Sequence, residues 1–529
     1  MILLKIRAAC SGVLAAAAGI AIGELFAALV VPAAGPVVGV GGVIIDATPT
    51  PVKEWAVRTF GTNDKPLLLT GIAAGLVVFA AVVGVLGQRR RVFGLAGAAL
   101  LGLAGAAAAA SRPAAGPLDG LPSLLGGAVA AGALLLLLRT LAPSGSAVVA
   151  GAVADDAVIE DAVVDSAVVD GGAGRPARLL DRRGFIGTAA IIGAGAAVAG
   201  GGAAALHAAG RNAADRSREA VRLPAPTSAA PPLPAGLDPG FVTTNRDFYR
   251  VDTALTVPRV DVSSWRLRIK GMVGRPLELS FDDLLRRPLI ERDITLNCVS
   301  NEVGGPYVGT ARWLGVSLAD LLREVRPAAG ADQLVARSVD GMTIGTPLSV
   351  VLDGRDAMLC VGMNGEPLPL DHGFPVRMLT PGLYGYAGAC KWVTELELTT
   401  FDAYDAYWVQ RGWAARGPVK TASRIDRPLP FARPAAGTVH VAGVAWAQGR
   451  GVASVEVQVD DGPWQAATLL PAPTNDTWVQ WRLDWAATPG SHLLRVRATD
   501  KTGAVQTADR VTPFPDGATG WHSVTVTAV

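Results

Sequence analysis

The chain has 529 residues, half of them hydrophobic and only 17% charged, with a formal net charge of +2. Such an apolar excess excludes an ordinary soluble protein of this length, and the near-neutral balance gives no footing for a nucleic-acid role. The excess lies in the first 210 residues.

In chain order, Ala/Leu/Val/Gly runs occur at 8–31, 67–87, 92–110 and 123–139. Each approaches the ~20 residues that cross a bilayer as a helix, which predicts a four-helix transmembrane region over 1–140. Lys5 and Arg7, then Arg89, Arg90 and Arg91, then Arg139 mark the cytoplasmic ends. The segment KEWAVRTFGTNDK (53–65) then faces outward, as an interfacial helix or an ordered loop. Residues 141–181, Ala/Val-rich with repeated acids and no caps, read as a cytoplasmic linker. Arg182 and Arg183 precede Phe185 and an apolar Gly/Ala-rich stretch. This start resembles a twin-arginine export signal, and also suits a plain positive flank for a fifth span over 182–207. No small-residue cleavage site stands out, so the helix is expected to stay as an anchor. Everything beyond it is then extracytoplasmic on a multi-pass cell-membrane protein.

Residues 208–239 include LPAPTSAAPPLPAGLDPG and read as an Ala/Pro-rich linker, semi-extended rather than packed. The chain has 5 His, none in the first four spans, so a haem held by paired His between those helices is not expected. From 240 onward the composition is globular. Alternating or β-rich runs at 264–273, 291–299, 333–338 and 357–363 predict strands, and 281–287 and 316–325 predict short helices, together an α/β or α+β domain over 240–405. After a connector at 406–432, residues 433–529 carry alternating runs at 452–464, 478–485, 492–503 and 521–529. DG, PG and TG turns separate them, which predicts an immunoglobulin-like β-sandwich.

Chemistry concentrates around Cys298, in LNCVSNEVGG (296–305), ahead of a Gly-rich turn. A thiolate suits a soft metal, yet Cys10, Cys298, Cys360 and Cys390 lie too far apart in sequence for an all-protein cage. Other ligands must come from a cofactor. NGEPLPLDHGFPVRM (364–378) supplies His372 and Arg377, and PGLYGYAGACKW (381–392) supplies Lys391. Glycine-loop amides with Arg and Lys make a pocket for a phosphorylated organic group. Each residue alone has a plainer reading, as a turn His, a surface cation or a small buried hydrophobe. Cys360 and Cys390 read as buried free thiols, with a disulfide as the alternative.

Three segments, LNCVSNEVGGPYVGTARWLGVSLADLL, MNGEPLPLDHGFPVRMLTPG with GACKW, and the tail GVAWAQGRGVASVEVQVDDGPW, resemble the sulfite oxidase family of molybdopterin enzymes. The resemblance covers 240–529. It implies that Cys298 is the protein thiolate on one molybdenum, whose other sulfurs come from the pterin dithiolene. It also implies that His372, Arg377 and Lys391 contact the pterin and its phosphate. FVTTNRDFYR (241–250) resembles the segment that opens the pocket and adds Asn245, Tyr249 and Arg250; Ser338, at a strand end, is a further candidate. The tail resembles the family's dimerisation domain, so a homodimer is implied.

Two departures bear on substrate. Asn301 is kept, but Glu302 and Val303 stand where sulfite oxidases have the arginines that follow it, and Met342 stands at the position of the active-site tyrosine. The expectation is a membrane-anchored molybdenum oxidoreductase transferring oxygen to or from a small substrate, and not a sulfite oxidase proper. An S-oxide or N-oxide reductase shares this scaffold. With no haem domain recognised, electrons pass to or from a separate protein or a quinone. The reading from a different class is a cofactor-free anchored binding module.

Overall fold

The computed structural model describes the chain except residues 1, 32–33, 50–51, 53–55, 57–58, 61–63, 113–114, 142–177 and 239. The acidic linker therefore falls almost wholly outside the described residues, as does most of the 53–65 segment. Two compact units result, 1–209 and 210–529.

The first unit is helical: α1 (Ile2–Val30), α2 (Pro36–Ala47), α3 (Asp64–Arg89), α4 (Arg91–Ala110), α5 (Leu121–Arg139) and the start of α6 (Arg178–Ala220). All but α2 are long and apolar enough to cross a membrane. The short apolar α2 has no counterpart in the sequence reading. Small residues make the contacts between helices. A Cβ built on Gly12 would lie 1.9 Å from the Ala80 carbonyl oxygen, and one on Gly84 2.1 Å from that of Ala8. Gly19 and Gly126 bring α1 and α5 together in the same way. Meanwhile Val77, Val78, Leu100, Leu103 and Leu136 point outward. Apart from an internal patch of Val83, Leu134, Leu137 and Leu138, small residues inside and large apolar ones outside is the arrangement of helices whose surroundings are themselves apolar.

Helix α6 runs through the unit boundary, and its last turns belong to the globular unit. Arg218 donates to the carbonyl oxygens of Leu368 (2.8 Å) and Pro367 (2.7 Å) and pairs with Glu366; Asp215 pairs with Arg259. The 208–239 stretch thus starts as docked helix, because RNAADRSREA is made of residues that tolerate a helix and carries charges with partners. The Pro-rich part is extended, and it is laid along a strand: Thr227 N–H donates to Leu289 O (2.7 Å) and Glu291 N–H to Ser228 O (2.8 Å).

The globular unit begins with a sheet of order β2-β1-β10-β5-β6, where β1 is Arg266–Gly271, β2 Leu277–Ser280, β5 Gln333–Ser338, β6 Thr343–Pro347 and β10 Val393–Thr399. A second sheet runs β3 (Leu289–Asn297), β4 (Val308–Ser317), β7 (Met358–Met363) and β8 (Glu366–Pro367), with β9 (Arg377–Leu379) also on β7. Among the described strands β1 and β10 pair in parallel, and an isolated parallel bridge joins Ser228 to Ile290. Between these lie two short helices with legible caps. Ser280 and Asp283 form a capping box for α7 (Phe281–Leu285). Ser317 caps α8 (Leu318–Val325), which buries Leu318, Leu321, Leu322 and Val325 and ends at Arg326 in the left-handed region. The result is a mixed α/β domain around Trp313, Phe281 and Phe374, all fully buried.

Two further antiparallel four-stranded sheets follow. One is β11 (Ala422–Arg427), β12 (Gly437–Trp446), β16 (Val479–Ala487) and β15 (Thr468–Leu469); the other is β14 (Trp464–Ala466), β13 (Val452–Val459), β17 (Gly490–Asp500) and β18 (His522–Ala528). They share one apolar core that includes Val441, Val455, Trp481 and Val496. Bonds tie this part to β3: Trp478 N–H donates to Thr295 Oγ1 (2.7 Å) and Thr295 N–H to Asp476 O (2.9 Å).

Candidate active site

β3 delivers Cys298. Its last residues are buried on both faces, and Asp293 among them is held by a two-point contact to Arg312 on β4, at 2.8 and 2.7 Å. As the chain leaves the sheet, Cys298 N–H donates to Tyr307 O (3.0 Å), which closes the following loop. Inside that loop Asn301 Oδ1 accepts from Tyr307 N–H (2.8 Å), so Asn301 staples the loop. Gly304 has φ +79° and lies under the His522 ring, where a Cβ would come within 2.1 Å. Only glycine fits there.

The second motif comes from β9 and the turns around it. Arg377 pairs in register with Cys360 of β7. His372 sits in a 3₁₀ turn, and Gly373, at φ +116°, would place a Cβ 3.2 Å from the Cβ atoms of both Arg377 and Lys391. The glycine lets two cation-bearing segments close on each other.

Tyr249, Cys298, Arg377 and Lys391 line one cavity of about 750 Å³, part of it open to solvent. Four other sequence-derived candidates are placed around it. His372 is buried one layer behind, its Nε2 2.8 Å from the Asn245 carbonyl oxygen. The Asn245 side chain is engaged by Glu366 and Asn364, so its link to the site runs through its backbone. Arg250 pairs with Asp252 (3.1 Å) beside the cavity. Ser338 is buried behind Met342, whose carbonyl accepts its N–H (2.9 Å). The sequence reading did not single out Asp252, Asp340, Trp392, Tyr386, Trp408 or Trp413, which also line the cavity. The aromatic cluster in YWVQRGW was the available signal for the last two. Glu302 lies outside this cavity, on a neighbouring one of about 370 Å³ with Asn297, Tyr384 and Gln506. Its charge therefore does not face Cys298 across the larger cavity, whereas Met342 does line it.

Electrostatics set the site apart. Arg377 is buried, and among the described residues no carboxylate pairs with it. Its Nη1 reaches only the His372 carbonyl at 3.4 Å, its Nε has no partner, and its guanidinium lies 5.2 Å from the centroid of the Trp313 ring. Burial pushes its pKa down. Lys391 is brought to about 8 by burial, against the pull of Asp252 at 3.0 Å. Burial and then the neighbouring Arg377 hold His372 at about 4, with the Asn245 carbonyl opposing, and its Nδ1 is unpartnered. Burial raises the Cys298 thiol, opposed by hydrogen bonds from Ser300 and by Lys391. Buried donors without acceptors call for a ligand, and an unpaired buried cation calls for an anion. Among the described residues no group of three His, Cys, Asp or Glu could cage a metal. A metal at Cys298 needs ligands from a cofactor, and a phosphorylated, sulfur-donating cofactor fits both the cations and the lone thiol.

Residues 254–408 match the family described as oxidoreductase molybdopterin binding domain. Chicken (Gallus gallus) sulfite oxidase is 31% identical over 350 residues, covering 56% of this chain and 75% of that protein. The chain belongs to the sulfite oxidase family. Mouse (Mus musculus) mitochondrial sulfite oxidase is 32% identical, covering 46% of this chain and 52% of that protein. The chain thus spans about half the mouse protein's length. Aspergillus niger nitrate reductase is 34% identical over 35% of this chain and 23% of its own length. Among solved structures, the sulfane dehydrogenase SoxCD from Paracoccus pantotrophus is 24% identical with a TM-score of 0.49, covering 55% of this chain and 82% of that one. As in the family, a molybdopterin-binding oxidoreductase domain surrounds Cys298. Cys360 and Cys390, both buried, are free thiols.

Proposed function

We propose that this protein is a membrane-anchored molybdenum oxidoreductase that moves an oxygen atom to or from a small substrate outside the cytoplasm, and that it is not a sulfite oxidase proper. The observation that carries this reading is the convergence of one thiol, Cys298, with the unpaired buried Arg377 and with Lys391 on a single cavity. When bound, the molybdenum–pterin group supplies a two-electron couple and oxygen-atom transfer. The chain's own residues hold and orient it. Cys298 is the one protein thiolate toward the metal. Burial favours the thiol and a metal cation favours the thiolate, so loading the site releases a proton from Sγ. Arg377 and Lys391 hold the phosphorylated part, with Asp252 fixing the Lys391 ammonium in place. His372, neutral and anchored by the Asn245 carbonyl, keeps a buried Nδ1 without a partner. Tyr249, Arg250 and Ser338 complete the cofactor shell.

Met342 on the cavity is the reason to set sulfite aside, since a thioether stands at the position where the family resemblance places an active-site tyrosine. The same observation favours a second reading, an S-oxide or N-oxide reductase. Five helices long and apolar enough to span support a multi-pass anchor, and the cations at their ends support the outward placement of residues beyond 210. Arg182 and Arg183 would direct export of the folded unit, and Arg→Lys changes at both should block it. The two C-terminal sheets are read as immunoglobulin-like and as a homodimer surface. Electrons would pass to a separate carrier protein or a quinone, with one molybdenum and no haem in this chain.

The deciding experiment is metal analysis of the purified protein with Cys298→Ala beside it. One molybdenum per wild-type chain, and turnover lost at least a thousandfold in the variant with an unchanged circular dichroism spectrum, is the expected result. Wild type without molybdenum after expression with cofactor supply would instead support an anchored binding module.

A further inference from the structure

The cavity at Cys298 has two unlike ends. Its buried floor holds Cys298, Arg377, Lys391 and Trp392. The partly exposed side chains that line it include Val251, Thr253, Asp340, Met342, Tyr386 and Trp408, together with the hydroxyl-bearing Tyr249 and Ser300. Among the described residues no Arg or Lys lines that outer end. Asp340 accepts the Met342 N–H at 3.3 Å through one oxygen, and the neighbouring cation Arg337 is engaged by Glu395 at 3.2 Å. The aromatic wall is continuous: Trp413 lies 5.9 Å from Tyr386 and 6.3 Å from Trp408, centroid to centroid, the latter pair edge to face. The charges that suit an anion are therefore at the floor, where the cofactor's phosphate would use them. What arrives from solvent meets apolar and aromatic surface, the hydroxyls of Thr253 and Ser300, and the carboxylate of Asp340.

We infer that the substrate is an organic molecule, uncharged or cationic, whose apolar part lies against Met342, Tyr386 and Trp408, and that Asp340 selects against inorganic oxyanions. This rests on the proposed molybdenum chemistry and names the substrate class of that same site. Aromatic faces favour apolar groups and cations alike, while a carboxylate a few ångströms from an approaching anion disfavours it by about fivefold in a water-like dielectric and by more where the dielectric is lower. In the reductive direction a sulfoxide would accept two electrons from a reduced carrier and two protons. The S–O bond breaks, and the oxygen leaves as water.

The test uses the full chain with its molybdenum content measured. Methyl p-tolyl sulfoxide and nitrate are compared as oxidants of reduced viologen, and sulfite as a reductant of ferricyanide. Sulfoxide binding is followed independently of turnover by tryptophan fluorescence, with sulfate as competitor. The sulfoxide is expected to show the highest kcat/KM and to change the fluorescence, in part through Trp408 as judged by Trp408→Phe, with no competition from sulfate. Asp340→Asn, which keeps an acceptor for the Met342 N–H, should move the anion-to-sulfoxide ratio of kcat/KM about tenfold toward the anion, and Met342→Arg should move it in the same direction. A wild-type preference for nitrate or sulfite, sulfate competition in the titration, or a ratio unmoved by both variants would overturn the inference. A protein that lacks molybdenum defeats the functional reading instead, and the fluorescence titration still decides which ligand the outer end takes.

Discussion

The helical unit and the globular unit are both apolar, and they use that character in opposite ways. In the first, Gly12, Gly19, Gly84 and Gly126 bring backbones together while Val and Leu side chains face outward. In the second, Trp313, Trp392, Trp481, Phe281 and Phe374 fill the interior. Contact between small residues holds helices whose surroundings are already apolar, whereas burying large side chains drives folding in water. The difference also explains where polar groups without partners collect. Several of them, Arg377 Nε, His372 Nδ1, Asn297 Oδ1 and Ser338 Oγ, lie in the globular unit around Cys298. There a well-packed core can carry their cost until a ligand relieves it.

The sharpest way to break the comparison is to shrink a large core residue. Trp313→Ala should cost about 3–5 kcal/mol and, by removing the ring under Arg377, should also lower cofactor retention; denaturant unfolding and molybdenum content read the two effects. Arg377→Met acts in the opposite sense. Replacing a buried unpaired cation with an apolar side chain of similar length should stabilise the cofactor-free protein by about 1–4 kcal/mol while abolishing molybdopterin retention. A stability gain with the cofactor kept would show that Arg377 has no role in holding it. In the helical unit the rule is reversed and enlargement is the damaging change. Gly84→Ala should separate α1 from α3 at a cost of about 1–3 kcal/mol, detected as a lower melting temperature in detergent.

Much of this was legible in the sequence because the relevant signals are local. The amphipathic run 316–325 predicts α8, and alternation predicts β1, β13 and β17. Cys298, Arg377 and Lys391 were found as motif residues, and they do share a cavity. What escaped is non-local. β4 and β12 carry glycines and mixed polarity that only their position between two strands explains. Asp252 becomes a site residue solely because Lys391, 139 positions away in sequence, comes within 3.0 Å. Glu302 looked like a neighbour of Cys298 by sequence, yet the stapled loop turns it toward another cavity. The Pro-rich stretch after 220 has the composition of a spacer, and its bonds to β3 depend on backbone carbonyls that composition does not encode.

The smallest expected effect tests the joint between the loop after Cys298 and the C-terminal sheets. His522 lies against Gly304, accepts the Ile425 N–H through Nδ1 (3.0 Å), and neighbours Arg424, which donates to Gly305 O (2.8 Å). Burial first, and then Arg424, holds its pKa at about 4, with Asp426 opposing. Protonation would remove the acceptor and place a second cation beside Arg424. The unfolded chain binds this proton near the ordinary histidine value of about 6.5 and the folded chain only near 4. Between those values the unfolded state holds more protons, so stability is lost as pH falls through that window and is level above it. His372, held low by burial in the same way, adds to the slope. The melting temperature of the globular unit should therefore carry no contribution from His522 or His372 above about pH 7, where Lys391 still titrates, and decline from about 6.5 to 4. His522→Asn, which offers an acceptor and no titration, should flatten part of that decline and leave the share due to His372. An unchanged profile in the variant would mean that the ring is already solvated and that the loop carrying Cys298 is not braced by β18.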